Sequence, residues 1–146
     1  MKTRTLIALL FAGIACRALA AEAPPTDAVV INHAKVDDAF AKGLPLLITS
    51  SYKIQTGRRV KAGKVEIHDR DTDIFYVTAG NATLTTGGTA IGTKTTGPGE
   101  AVGESINGGV AHKLTKGDLV VIPAGVPHWF NEVSGTFIYF VVKVTK

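Results

Sequence analysis

The sequence predicts an all-β domain, a sandwich or barrel of short strands preceded by one short helix. Three observations carry this reading. Seven apolar or alternating runs of four to nine residues follow residue 45, separated by turn signals. No helical periodicity alternates with them, which argues against a parallel α/β layout. The chain has 146 residues, 45% of them apolar, enough for one core and too few for two.

Residues 1–20 read as an export signal. Lys2 and Arg4 form a charged start, residues 6–16 an apolar stretch, and Ala18-Leu19-Ala20 a small-x-small cleavage site. Eleven apolar residues are too short for a helix across a ~30 Å hydrocarbon core, so no membrane span is expected. Cleavage after Ala20 would place the mature protein in the periplasm or outside the cell and remove Cys16, the one cysteine. It would also change the charge. Of the 16 basic residues, Lys2, Arg4 and Arg17 lie in the signal, leaving 13 against 12 acids, a balance of +1. A nearly neutral domain has no electrostatic footprint for nucleic acid or an anionic membrane.

Residues 21–45 read as a polar, proline-containing lead and a helix over His33–Lys42, with Val36, Ala39 and Phe40 at helical spacing and Gly43 and Pro45 closing it. Residues 46–146 form the β domain. Strands are expected at 46–54, 64–68, 74–78, 82–85, 119–122, 127–131 and 136–143, with Ala79-Gly80-Asn81 making a hairpin turn between the third and fourth. Residues 87–109 hold eight glycines among 23 and few large apolar side chains, so they read as a long loop, either a plain insertion or a lid.

Four histidines limit the chemistry. His33 opens the helix, and His112 lies near a turn. His68 and His128 sit on strands with other polar groups in phase. Side chains two apart share a face, so Glu66 and His68 point together, toward a lumen or toward solvent. Asp73 starts the next strand in phase with Phe75, and His128 shares a face with Phe130. Two imidazoles and two carboxylates meeting inside a barrel would suit one divalent transition metal, with the carboxylates favouring Mn, Fe or Zn over Cu. Asp69-x-Asp71-x-Asp73 is not a calcium loop, because Ile74 and Gly80 stand where glycine and a bidentate acid are needed. Phosphate-cradling loops and serine elbows are absent.

These residues resemble the cupin superfamily. Glu66-Ile67-His68, Asp73 and Gly80 follow the spacing of its first motif, with Glu66 in place of a leading histidine and Asp73 in place of the commoner glutamate. Gly117, Pro123, Gly125 and His128 match its second motif, and Asn131 arrives one residue early. The resemblance implies a small antiparallel barrel, or jelly roll, with metal ligands at Glu66, His68, Asp73 and His128. It implies an exported metal-dependent enzyme acting on a small metabolite by oxygenase, isomerase or lyase chemistry. Glu66 or Asp73 would be the general base, and Phe75, Phe130 and Tyr139 would line the mouth. The alternatives are a non-catalytic barrel binding a sugar or aromatic ligand and a purely structural or oligomerising domain. A homodimer is expected under any of the three, through the apolar run 46–52 at a sheet edge.

Overall fold

The computed structural model describes residues 21–146; the export signal expected at 1–20 lies outside the described residues. One helix, α1 (His33–Lys42), is followed by eleven strands. In chain order these are β1 (Pro45–Ile48), β2 (Tyr52–Arg59), β3 (Val65–His68), β4 (Asp71–Thr86), β5 (Thr89–Ile91) and β6 (Lys94–Gly97). Then come β7 (Glu100–Gly103), β8 (Ser105–Asn107), β9 (Val110–Leu114), β10 (Leu119–Ile122) and β11 (His128–Thr145). The strand-to-strand pairings are antiparallel, as the expected jelly roll requires. No helix among the described residues is long and apolar enough to cross a membrane.

The helix forms where capping chemistry dictates. The Asn32 side chain accepts from Lys35 N at 3.0 Å, and Gly43, at φ 70°, closes the last turn by donating to Ala39 O. Ala39 is buried, and its carbonyl also accepts from the Thr56 hydroxyl at 2.7 Å, which fixes α1 against β2.

Two long strands organise the rest. β4 and β11 pair along almost their whole lengths, from Thr86 opposite His128 to Asp71 opposite Thr145. Their inward residues follow the two-residue period. Phe75, Val77, Leu84, Phe130, Phe137 and Tyr139 are buried in one cluster that fills the interior. β2 and β3 pair with β11, β9 and β10 pair with β4, and β7 continues the sheet from β3.

Three local expectations are corrected. The run at 46–54 is divided between β1 and β2 by a turn in which the Thr49 hydroxyl donates to Tyr52 O. It is also used within the molecule, since β1 pairs with β2 and Leu46 is buried. The turn signal at 79–81 does not reverse the chain. Gly80, at φ 79°, lets β4 run on past a register shift in β11, where a Cβ would meet Thr136 O at 2.1 Å. The glycine-rich stretch 87–109 is not a loop. It contains β5 to β8, because the glycines serve the bends between strands too short for a propensity signal, and β7 docks on β3.

Candidate metal centre

β3, β4 and β11 bring the four sequence-predicted ligands to one point inside the barrel. His128 lies opposite Glu66 across the β11–β3 pair. The Pro123-Ala124-Gly125 turn seats it, with Gly125 N donating to His68 O at 2.8 Å. His68 Nε2 lies 3.6 Å from Glu66 Oε2 and 3.8 Å from Asp73 Oδ2, and His128 Nε2 lies 3.7 Å from the same Asp73 oxygen. Ligand atoms ~2.1 Å from one ion stand roughly 3.0–3.5 Å from one another, so a shift of a few tenths of an ångström would close this set. One ligand atom from each of Glu66, His68 and His128 lies within 4.8 Å of the others.

The imidazoles are held with both inner nitrogens directed at one another's surroundings, an arrangement that suits a ligand between them. His68 Nδ1 meets Glu100 Oε2 at 2.5 Å, and His128 Nδ1 meets Val126 O at 3.1 Å. Each outer nitrogen therefore donates its proton, and each Nε2 points inward, with a lone pair to offer whenever its ring is neutral. Both Nε2 atoms are buried, and neither has a hydrogen-bond partner. Leaving a buried polar atom unpaired costs about 1–3 kcal/mol, and here two such atoms converge. A divalent ion fits this donor set.

The carboxylates are less free than the imidazoles. Arg59 Nη2 donates to Glu66 Oε1 at 2.8 Å, leaving Oε2 for the centre. Lys143 Nζ reaches Asp73 Oδ1 at 2.7 Å and Oδ2 at 2.6 Å, so both oxygens of the most buried acid face an ammonium. Arg59 also donates to the Tyr139 hydroxyl and lies 4.8 Å over the Phe130 ring. Asp73 is thus an ion-paired neighbour of a three-residue set.

These contacts set the charge states. Burial raises the pKa of Glu66, but His68 and Arg59 overcome it and bring it to about 2, so the group stays ionised. Burial opposes a proton on His68, yet Glu66 and Glu100 outweigh that and hold its pKa above the ordinary value. For His128 burial prevails, and the pKa falls.

Sequence reasoning missed three participants. Lys143 and Arg59 were legible by phase: Lys143 shares a face with Tyr139 and Val141, and Arg59 with Gly57, which lies against the Tyr139 ring. Glu100 had no such signal, because only the pairing of β7 with β3 sets it opposite His68. Phe75, Phe130 and Tyr139 adjoin the centre but are buried and packed on one another, with ring centroids 5.2–5.7 Å apart. They form its apolar wall. His112 is exposed on β9, bonded to the Thr86 hydroxyl, and is not part of the cluster.

Comparison with known proteins agrees with this architecture. A family model described as Cupin matches residues 24–146. No curated protein matches the sequence. Among solved structures, the chain is similar to BH2720 from Bacillus halodurans, with TM-score 0.56 and 12% identity over 86% of each chain. It is also similar to the hydroquinone 1,2-dioxygenase from Sphingomonas sp. TTNP3, with TM-score 0.51 and 13% identity over 66% of this chain. A third is the DMSP lyase DddQ from Ruegeria pomeroyi DSS-3, with TM-score 0.48 and 17% identity over 68% of this chain. The chain spans about half the length of these two enzymes, 60% of the dioxygenase and 42% of the lyase. At these identities the likeness is one of fold.

Proposed function

The chain belongs to the cupin family, and from that premise we propose that it is an exported enzyme acting on a small metabolite at one divalent metal, Mn, Fe or Zn. The observation that carries this is the pair of buried, partnerless Nε2 atoms of His68 and His128, facing the free oxygen of Glu66. Those three residues would hold the ion, with Asp73 beside it. The ion would supply Lewis acidity and open positions for a small ligand, serving oxygenase, isomerase or lyase chemistry.

The chain's own groups do the rest. Glu100 and the Val126 carbonyl hold the two imidazoles with Nε2 forward. Arg59 keeps Glu66 ionised and restrains one of its oxygens. Phe75 packs edge-on to His128, with ring centroids 6.4 Å apart. Of the groups around the centre, Glu100, Glu66 and Arg59 are the more exposed, at 38%, 34% and 21%, so a ligand arriving on that side meets two carboxylates and a guanidinium first. Lys143 occupies both oxygens of Asp73, so of the two carboxylates only Glu66 turns an oxygen to the centre, as a ligand.

The test is metal analysis of protein purified without chelators, with His68→Ala and His128→Ala alongside. One transition metal per chain, lost in both variants, is expected. Protein that stays metal-free when offered Mn, Fe and Zn sinks this reading and leaves a barrel binding its ligand without metal. Export predicts a secreted or periplasmic chain beginning at Ala21, and intact-mass measurement of the recovered protein checks that start.

A further inference from the structure

Arg59 is anchored from several sides and still has donors to spare. A guanidinium carries five N–H groups in a fixed plane. Here Nε donates to the Tyr139 hydroxyl at 3.2 Å and Nη2 donates once to Glu66 Oε1 at 2.8 Å. The second proton of Nη2 and both protons of Nη1 have no partner among the described residues. The Phe130 ring lies 4.8 Å from Cζ and supports one face of the group. Gly63 keeps the remaining side open. Its N–H donates to Phe130 O at 3.0 Å and its carbonyl accepts from Trp129 Nε1 at 2.8 Å, which pins the segment between β2 and β3 against β11. A Cβ at Gly63 would stand 2.5 Å from Nη1, so the missing side chain leaves that nitrogen room. Nη1 is also not sealed in the interior: the buried side-chain atoms without a partner among the described residues are the two histidine Nε2 atoms.

We propose that Arg59 determines specificity at the centre and that the small molecule bound there is a monocarboxylate seated on the free Nη1 and Nη2 donors. The inference rests on the metal reading above and names its substrate class. Three properties select a carboxylate. The first is shape, because a planar fork with two parallel N–H groups matches the two oxygens of a carboxylate. The second is availability. Lys143 is the other cation at the centre, and both oxygens of Asp73 already hold it. The third is charge. Arg59 and Lys143 face Glu66, Asp73 and Glu100, an excess of one negative charge that a divalent ion turns into one positive charge. A monoanion neutralises that balance, whereas a phosphate monoester, near −2, overshoots it. The reach is short as well. Glu66 gives Oε1 to Arg59 and turns Oε2 toward His68 Nε2 at 3.6 Å, so the guanidinium stands one carboxylate away from the centre. A small 2-hydroxy or 2-oxo acid suits that gap.

Isothermal titration calorimetry of the Zn-loaded full chain with L-lactate and with pyruvate tests the proposal, with lactamide as the uncharged isostere. Metal content is measured first. At least one of the two acids should bind, and lactamide should bind about tenfold or more weakly than lactate. Arg59→Met removes the donors, and Gly63→Ala keeps Arg59 but crowds Nη1. Each should weaken the acid about 10- to 100-fold while the protein retains one metal per chain. The crowding in Gly63→Ala falls on the end of a flexible side chain, so its circular dichroism spectrum should match that of the unaltered chain. Arg59→Lys, which keeps the charge without the fork, should recover part of the loss. Acid binding indifferent to both Arg59→Met and Gly63→Ala overturns the proposal, as does lactamide binding as well as lactate. A metal-loaded chain that binds neither acid overturns it too and leaves the metal reading standing. A chain that takes up no metal overturns the metal reading, and this inference with it, before any acid is added.

Discussion

The ammonium of Lys143 spans both oxygens of Asp73, at 2.7 and 2.6 Å, in the most buried ion pair of the barrel. The two residues are direct cross-strand partners, so strand register and not side-chain reach brings them together. With Asp73 only 1% exposed, removing the cation strands a charge in the interior. Lys143→Met should therefore cost about 3–5 kcal/mol in metal-free protein. A divalent ion should restore more stability to this variant than to the unaltered chain, because the freed carboxylate gains a cation. Urea unfolding with and without Zn measures both, and equal gains from metal in the two proteins would refute the competition.

Glu100 acts on the centre through His68. Its carboxylate holds Nδ1, so Glu100→Ala frees the ring to turn and leaves Nε2 aimed inward only part of the time. Metal affinity should fall about 10- to 100-fold. Glu100 is 38% exposed on its side chain, so the melting temperature of metal-free protein should change little. Chelator competition reads the first effect and thermal unfolding the second. Glu100→Gln, which can still accept from Nδ1, should recover most of the affinity.

The sequence revealed the centre because strand periodicity and fixed spacing encode it. Glu66 and His68 are two apart on β3, and the turn at Pro123 to Gly125 delivers His128, so local rules sufficed. The partners of those ligands were hidden for the opposite reason. Glu100 lies 32 residues from His68, and Lys143 lies 70 from Asp73, distances that only register can close. The same limit governed the fold. Gly80 carries a turn signature, yet the neighbouring strand's register shift turns that signature into a bend within one long strand. Residues 87–109 lack apolar alternation because β5 and β6 are largely exposed and β8 is at most half-buried, with no buried face to write the pattern.

Gly57 sets the position of the aromatic wall. A Cβ there would stand 2.0 Å from Cζ of Tyr139, inside the ring itself. Tyr139 is 7% exposed and stacked at 5.4 Å on Phe130, so it has no room to retreat. Gly57→Ala should destabilise the domain by about 1–3 kcal/mol. It should also disturb the hydrogen bond from Arg59 to the Tyr139 hydroxyl. Chemical denaturation measures the loss. An unchanged midpoint would show that β2 does not press on the ring.

Acid sensitivity should arise partly from Asp71. Burial alone would raise its pKa, but Lys53, at 2.6 Å, and the Thr145 hydroxyl, at 2.7 Å, overcome that and lower it. The folded pKa is below the unfolded one, near 3.9, so the ionised group contributes its full stability above the unfolded value. That contribution disappears as pH falls from the unfolded pKa through the folded one, because the unfolded chain takes up the proton first. Asp71→Asn should lower stability at pH 7 and flatten the decline as pH falls below about 4. Unfolding free energies measured across that range should show the two curves converging in acid. Parallel curves would mean that the Lys53 contact contributes nothing to folding.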